Sequence, residues 1–384
     1  MNKKDYSNRL SDQAYKAAEI IKEVCEKTDH NLLKEVISMK EIHDIQKVIM
    51  TGCGDSWMAG IATRAVFEAV TGIDVEVMRN IDFTRHLNSR FLGYSPNTPL
   101  VIVVSASGDK ARPTEALLRA GKYHANTIAL TKSKDSPCGK AARHVFPLVL
   151  PQGNYNPGSN SYSAAITSLI LLALRIGRAR NVISHNEYED MKKAIVDFAE
   201  EFSNNLEALD NLSFDIATRW KDLRALDFIG DDSDYATAQF GSAKVLETYG
   251  GYTTYDDSED WLHINYFLSE PETIGRVVIA NKNTPSFSRI KETLQSIKRI
   301  GSPCIVITDA SADEFPDGFE VITTPEPRYF WLNPLMQHYI FDMIAGYIAE
   351  LKGTPFFFED KPELMQNTAA AHGPRLIDSK IEII

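Results

Sequence analysis

The stretch Lys47-Val48-Ile49-Met50-Thr51-Gly52-Cys53-Gly54-Asp55-Ser56 decides how the rest of the chain is read. Its first half is apolar without alternation, which suits a strand buried on both faces, and its second half is small and polar. A helical pattern follows from Ala59 to Val70. Strand, tight loop and helix together form the repeating unit of a parallel sheet. The order recurs at Leu100 to Ser105, with a loop and then a helix from Thr114 to Ala120, and shorter apolar runs stand at Thr127 to Leu130 and Val145 to Leu150. A doubly wound, mainly parallel α/β sheet accounts for all of them.

A long helical region, Ser163 to Arg178 and Glu187 to Leu209, separates this set from a second one. The second has Leu226 to Gly230 with a helix from about Tyr235, Val277 to Ala280 with a helix from about Ser286, and Cys304 to Thr308. Strand starts at 47 and 100 recur near 225 and 276, and Gly54-Asp55-Ser56 is echoed by Gly230-Asp231-Asp232-Ser233, so the two sets read as tandem domains. The expected organisation is an amphipathic helical segment at 1–40, domains at 41–205 and 206–355, and a tail at 356–384. The last helix, Leu335 to Leu351, ends at the stop signal Lys352-Gly353-Thr354-Pro355.

Composition agrees with this organisation. The 384 residues are 43% hydrophobic and 24% charged, enough for a large core. With 41 Lys and Arg against 52 Asp and Glu, the net charge of −11 repels polyanions, which argues against nucleic acid or an anionic membrane as partner. A small anion held by local geometry stays allowed. Cys25, Cys53, Cys138 and Cys304 are far apart and lack His at ligand spacing, so neither zinc nor a disulfide scaffold is expected. The start lacks an apolar leader, and the oiliest run, Ala164 to Leu174, reads as too short to span a membrane. A cytoplasmic location is expected.

Chemistry concentrates in two loops, Thr51-Gly52-Cys53-Gly54-Asp55-Ser56 and Ser105-Ala106-Ser107-Gly108-Asp109. Each joins a buried strand to a helix. Unpaired amides at the helix start, glycines that permit close approach and neutral hydroxyls make a site for one phosphate. The plainer reading is that Gly and Ser merely shape tight turns and caps. Neither loop matches a nucleotide P-loop or a dinucleotide fingerprint.

These loops, together with Pro157-Gly158-Ser159-Asn160-Ser161, resemble the sugar isomerase (SIS) domain proteins, in particular the isomerase half of glucosamine-6-phosphate synthase and the fructosamine-6-phosphate deglycases. The resemblance runs from about residue 45 to the C-terminus. It implies two tandem doubly wound, flavodoxin-like SIS domains and a sugar phosphate wrapped by Cys53, Gly54, Asp55 and Ser56, then by Ser105, the Ala106 amide and Ser107. Lys110 stands where the family pattern has Thr, so either Lys110 or Thr114 takes that role; Ser159 and Ser161 would lie beside the sugar.

In the second half, Lys244-Val245-Leu246-Glu247 and Ser258-Glu259-Asp260-Trp261-Leu262-His263 resemble the family's catalytic segments, although Ile264-Asn265 replaces Gly-Pro. The resemblance makes Glu247 the base that moves a proton between C1 and C2, and His263 the group that opens the ring. That histidine often comes from a partner subunit in relatives, which implies a homodimer or higher homo-oligomer. The tail Ser379-Lys380-Ile381-Glu382 resembles the closing segment, with Lys380 entering the site. No cofactor or metal is implied. The acidic cluster Asp256, Asp257, Glu259 and Asp260 reads as a solvated loop.

Read without the family, Glu247 is a helix-surface carboxylate, His263 an ordinary loop histidine and Lys380 a terminal cation. The apolar ending Leu376 to Ile384 nonetheless suggests docking. The expected activity is that of a cofactor-independent phosphosugar enzyme, an aldose–ketose isomerase or a deglycase or deaminase acting on an amino-sugar or fructosamine 6-phosphate. About 45 residues precede the first strand, too few for a glutaminase domain, which tilts the expectation toward deglycation or deamination. The alternative is a protein that binds sugar phosphate without turning it over.

Overall fold

Residues 2–92, 99–150, 157–361 and 379–384 are described by the computed structural model. Four short helices lead in: α1 (Arg9–Ala14), α2 (Ala17–Lys27), α3 (His30–Val36) and α4 (Met39–Asp44). Asn8, Asp29 and Ser38 supply side-chain caps to α1, α3 and α4, and Ser38 and Glu41 complete a capping box. The first sheet then forms from β1 (Lys47–Gly52), β2 (Asp74–Arg79), β3 (Leu100–Val104), β4 (Asn126–Thr131) and β5 (His144–Pro147). Its helices are α5 (Asp55–Thr71), α6 (Ala111–Lys122), α7 (Pro137–Ala141) and α8 (Ser159–Ala179).

After α9 (His185–Asn204) and α10 (Leu206–Trp220) comes the second sheet: β6 (Ala225–Ile229), β7 (Tyr252–Asp256), β8 (Ile274–Ile279), β9 (Cys304–Thr308) and β10 (Glu320–Thr323). Its helices are α11 (Ser233–Tyr249), α12 (Ser258–His263), α13 (Phe287–Ile300), α14 (Asn333–Met336) and α15 (His338–Lys352). The chain divides into two compact units, each built on one sheet. Of the described residues, 19–92, 99–150, 160–196, 361 and 379–384 belong to the unit of the first sheet, and 2–18, 157–159 and 197–360 to the unit of the second.

Every strand pairing is parallel. The strand orders are β2-β1-β3-β4-β5 and β10-β9-β8-β6-β7, the same order written from opposite edges. Except for the run at Val145 to Leu150, which is the edge strand β5, the apolar runs of the sequence are the central strands: all of β3 and β8 is buried, and so are Val48, Ile49 and Met50 of β1. β2, β7 and β10 were not apparent in the sequence. All three are edge strands, half exposed and mixed in polarity, and so carry no continuous apolar run. The helix read at Glu187 to Leu209 breaks at Asn205 into α9 and α10, and the last one is split into α14 and α15.

The oily stretch is longer than its sequence suggested. It lies within the 21-residue α8, which is long and apolar enough to cross a membrane, yet 94% of its apolar window is buried inside the protein. It is a core helix of the first unit. Cys25, Cys53, Cys138 and Cys304 are free thiols.

Candidate functional site

In the first sheet the order in which strands are added across the sheet reverses between β1 and β3, which pair in parallel with Val48 opposite Leu100 and Thr51 opposite Val103. Loops leaving these two strands therefore open together on the carboxyl edge, where open α/β sheets bind ligands. The loop after β1 turns through Gly54, whose φ of 55° and ψ of −128° no L side chain adopts easily, and α5 starts at the next residue. A Cβ on Gly54 would touch nothing, so glycine is there for its backbone freedom and leaves the mouth open. Ser56 sits in the first turn of α5, half-buried, with its amide bonded to the Cys53 carbonyl at 3.2 Å.

The loop after β3 is shaped by Gly108, at φ 71°. A Cβ there would come 2.3 Å from Ser136 Oγ and 2.5 Å from Thr131 Oγ1. The backbone N–H groups of Ala106, Ser107 and Gly108 meet no acceptor among the described residues, while the Ala106 carbonyl accepts from Lys132 N at 3.2 Å. Three successive unpaired amides form an anion cradle. Ser105 is buried and its amide is tied to the Leu130 carbonyl; Ser107 donates to Asp109.

Lys110 and Thr114 differ in availability. A hydroxyl has one proton to give, and that of Thr114 is donated to the Lys110 carbonyl at 2.8 Å within its own helix. The Lys110 side chain is mostly buried, its ammonium 3.8 Å from Asp109. Arg112, the second residue of α6, is a cation that sequence reasoning passed over. Crowding pushes the Cys53 thiol up in pKa, with the Asn80 amide and then the Arg112 and Lys110 charges pulling it down, so both cations of the second loop bear electrostatically on the first. Asn80, at the end of β2, was also missed: it takes the Thr51 hydroxyl at 3.2 Å and donates to Cys53 Sγ at 3.1 Å, fixing the β1 loop. An asparagine beyond an unrecognised edge strand gave no signal.

The tail docks on the same unit. Arg112 binds the Lys380 carbonyl, and Arg85 pairs with Glu382. The buried Glu115 accepts the Glu382 amide at 3.0 Å, and the Ile384 carbonyl takes Arg119 Nε at 3.2 Å and Tyr123 Oη at 3.1 Å. Lys380 thus lies beside the start of α6, its own side chain 82% exposed and paired with Glu382. Residues 362–378 lie outside the described residues. So do residues 151–156, which precede the Pro157–Ser161 segment. Ser159 and Ser161 stand in the first turn of α8. Ser159 is fully buried and its hydroxyl has no partner among the described residues.

In the second sheet, Glu247 lies in the last turn of α11, its side chain 27% exposed and ion-paired with the fully buried Lys244. His263 ends α12 with its side chain 68% exposed, 3.2 Å from Glu259. Asp256, Asp257 and Asp260 bring carboxylate oxygens within 4.8 Å of one another; Asp257 spends one of its own capping α12.

This sheet has a reversal of its own between β6 and β8, differently furnished. Asp232 occupies the position of Gly54, with φ 50° and ψ −116°. Asp234 stands where Ser56 does and is wholly buried, accepting from Asn281 Nδ2 at 2.7 Å and Thr284 Oγ1 at 3.2 Å. Asp231 accepts both the amide and the hydroxyl of Ser258 at 2.8 Å. Donors that could hold a ligand anion are thus occupied by the protein's own carboxylates.

Comparison with known proteins places this geometry. Residues 41–175 match the SIS domain family model. A glutamine–fructose-6-phosphate aminotransferase (isomerizing) from Halobacterium salinarum is 23% identical over 332 residues, covering 85% of this chain and 52% of that protein. The chain therefore spans about half the length of the curated relatives it matches. Among solved structures, the C-terminal domain of glucosamine-fructose-6-phosphate aminotransferase from Francisella tularensis superposes with a TM-score of 0.79 at 15% identity, covering 93% of this chain and 99% of that one. Tagatose-6-phosphate ketose/aldose isomerase from Escherichia coli superposes with a TM-score of 0.72 at 15% identity, covering 91% and 96%. These likenesses establish the fold.

Proposed function

We propose that this chain, whose residues 41–175 are a SIS domain, is a phosphosugar enzyme that moves a proton between C1 and C2 of an opened amino-sugar or fructosamine 6-phosphate, as an isomerase or as a deglycase or deaminase. The observation that carries the reading is the cradle at the β1/β3 reversal: free amides of Ala106, Ser107 and Gly108, with Ser56, Ser105, Ser107 and Lys110 around them. It suits one phosphoryl group in a chain that is acidic overall. Lys110 takes the position the family gives to Thr, because the Thr114 hydroxyl is already committed. Cys53, Gly54 and Asp55 shape the β1 side, and Ser159 and Ser161 are assigned to the sugar.

Proton transfer next to a carbonyl needs a carboxylate whose surroundings are partly dry. Glu247, mostly buried against Lys244, is assigned that role. His263 is assigned ring opening and Lys380 closure of the site, with a second copy of the chain supplying His263. The residue set performs this chemistry with acid–base groups alone, and a cytoplasmic location fits a metabolic substrate.

The exposure of His263 favours a second reading, binding without turnover. One experiment separates the two: glucose 6-phosphate release from fructosyl-amino-acid 6-phosphates and interconversion of aldose and ketose 6-phosphates, measured on the wild type and on Glu247→Gln. The expected result is wild-type turnover reduced about 10²–10⁴-fold in the variant. Undiminished turnover in Glu247→Gln removes the base assignment, and saturable binding with no turnover in the wild type establishes the second reading.

A further inference from the structure

A second basic cleft lies in the first unit, at the end of the sheet away from the cradle. It is bounded by α3, α4 and the C-terminal turn of α8, has a volume of about 560 Å³, and draws on His30, Lys34, Ser38, His43, Arg175 and Arg178. His43 lies four residues before β1 begins, so the cleft flanks the amino edge of a strand whose six residues span roughly 20 Å. The phosphate loops open on the opposite edge.

Among the described residues, Lys34, Arg175 and Arg178 form no ion pair. Arg175 is only 5% exposed and its Nε, buried, has no hydrogen-bond partner among the described residues. A buried guanidinium donor without an acceptor is costly and rare. Arg178 stacks on the Tyr188 ring at 5.3 Å, which orients it without neutralising it. The nearby carboxylates are engaged elsewhere: Asp29 caps α3 through the Leu32 amide at 2.8 Å, and Glu41 binds Ser38, His144 at 2.8 Å and Arg143 at 3.0 Å. His30 reports the resulting field. Its pKa is lowered by partial burial and then by Lys34, Arg175 and Arg178, which together outweigh Asp29.

From the orphaned Arg175 donor, the stacked Arg178 and the flanking Lys34, His30 and His43, we propose that this cleft is a second anion site, separate from the cradle, that takes the phosphate group of a small phosphorylated metabolite. The guanidinium groups supply directed donors for the phosphate oxygens, and the lysine and histidines supply charge at the mouth.

The test counts sites. Equilibrium dialysis of the full chain against labelled inorganic phosphate is expected to give two sites per chain in the wild type. Lys34→Glu/Arg178→Glu should lose one of them and Gly54→Val, which strains the cradle, the other. Should the cradle hold no free phosphate, the count falls from one to zero in the charge-reversed variant alone, so failure of the cradle and failure of this cleft are told apart. As a readout independent of the Arg178 change, phosphate added to Gly54→Val should raise the His30 titration midpoint, followed by the imidazole proton resonance, and Lys34→Glu alone should weaken binding at least threefold. A charge-reversed variant that is folded by circular dichroism and binds as many phosphates as the wild type overturns the proposal, as does a His30 midpoint that phosphate does not move.

Discussion

The two sheet reversals have one backbone and opposite chemistry. Gly54 and Asp232 share nearly the same φ and ψ, at the same place before α5 and α11. One mouth is left open and lined with unpaired amides; in the other Asp234 is held by Asn281 and Thr284, and Asp231 by Ser258. A helix start attracts negative charge wherever it occurs. What separates a ligand site from a structural corner is whether the chain fills that position with a side chain of its own.

The largest effect expected from breaking this contrast is at Asp227 on β6, which holds the position of the aliphatic Ile49 on β1. Asp227 is fully buried, paired with Arg276 and bonded to Trp261 Nε1 at 2.6 Å and Asn265 at 3.1 Å. Asp227→Ala strands the buried Arg276 and should cost about 3–5 kcal/mol in denaturant unfolding. Ile49→Val, in the corresponding slot, should cost about 1 kcal/mol.

Asp234 supplies a pH signature. Burial raises its pKa to about 7, opposed by the Asn281 donors. A carboxyl that binds its proton more tightly folded than unfolded adds stability in full below its unfolded pKa, and that stability is lost as pH rises through the folded value. Asp234→Asn should therefore remove a loss of a few kcal/mol between about pH 4 and 7, seen by comparing unfolding midpoints of the two proteins across that range. No such change is expected for Ser56→Ala at the matching position of the first reversal.

The shared turn invites exchange. Asp232→Gly relieves a strained backbone and should raise stability by about 1 kcal/mol, whereas Gly54→Asp should cost about 1–3 kcal/mol and eliminate phosphate binding at the cradle. Thermal unfolding and isothermal titration measure the two halves. The smallest effect is at Ser107, whose hydroxyl must turn from Asp109 to reach a phosphate: Ser107→Ala should weaken phosphate affinity at most about tenfold with the melting temperature unchanged.

How much of this could be read beforehand follows from burial. Central strands such as β1, β3 and β8 are buried on both faces, so their composition alone betrays them. β2 and β7 lie at edges, where one face meets solvent and polar residues intervene, and they passed as loop. Gly54, Ser56, Ser105 and Ser107 were legible because a strand, a tight turn and a helix start follow one another within a few residues. Asn80 and Arg112 were not: the first follows an edge strand, and the second has the look of any exposed helix arginine until the tail is seen bound to it.

Local order along the chain was enough to establish two parallel α/β sheets and the positions of their loops, because strand burial and turn chemistry are written in adjacent residues. Tertiary structure alone decided that the loops after β1 and β3 are neighbours, that Asp234 fills the corresponding corner of the second sheet, and that Arg175 Nε is left without an acceptor among the described residues. Those outcomes depend on which distant residues come to share a space, and hydrogen bonding and charge are settled only there.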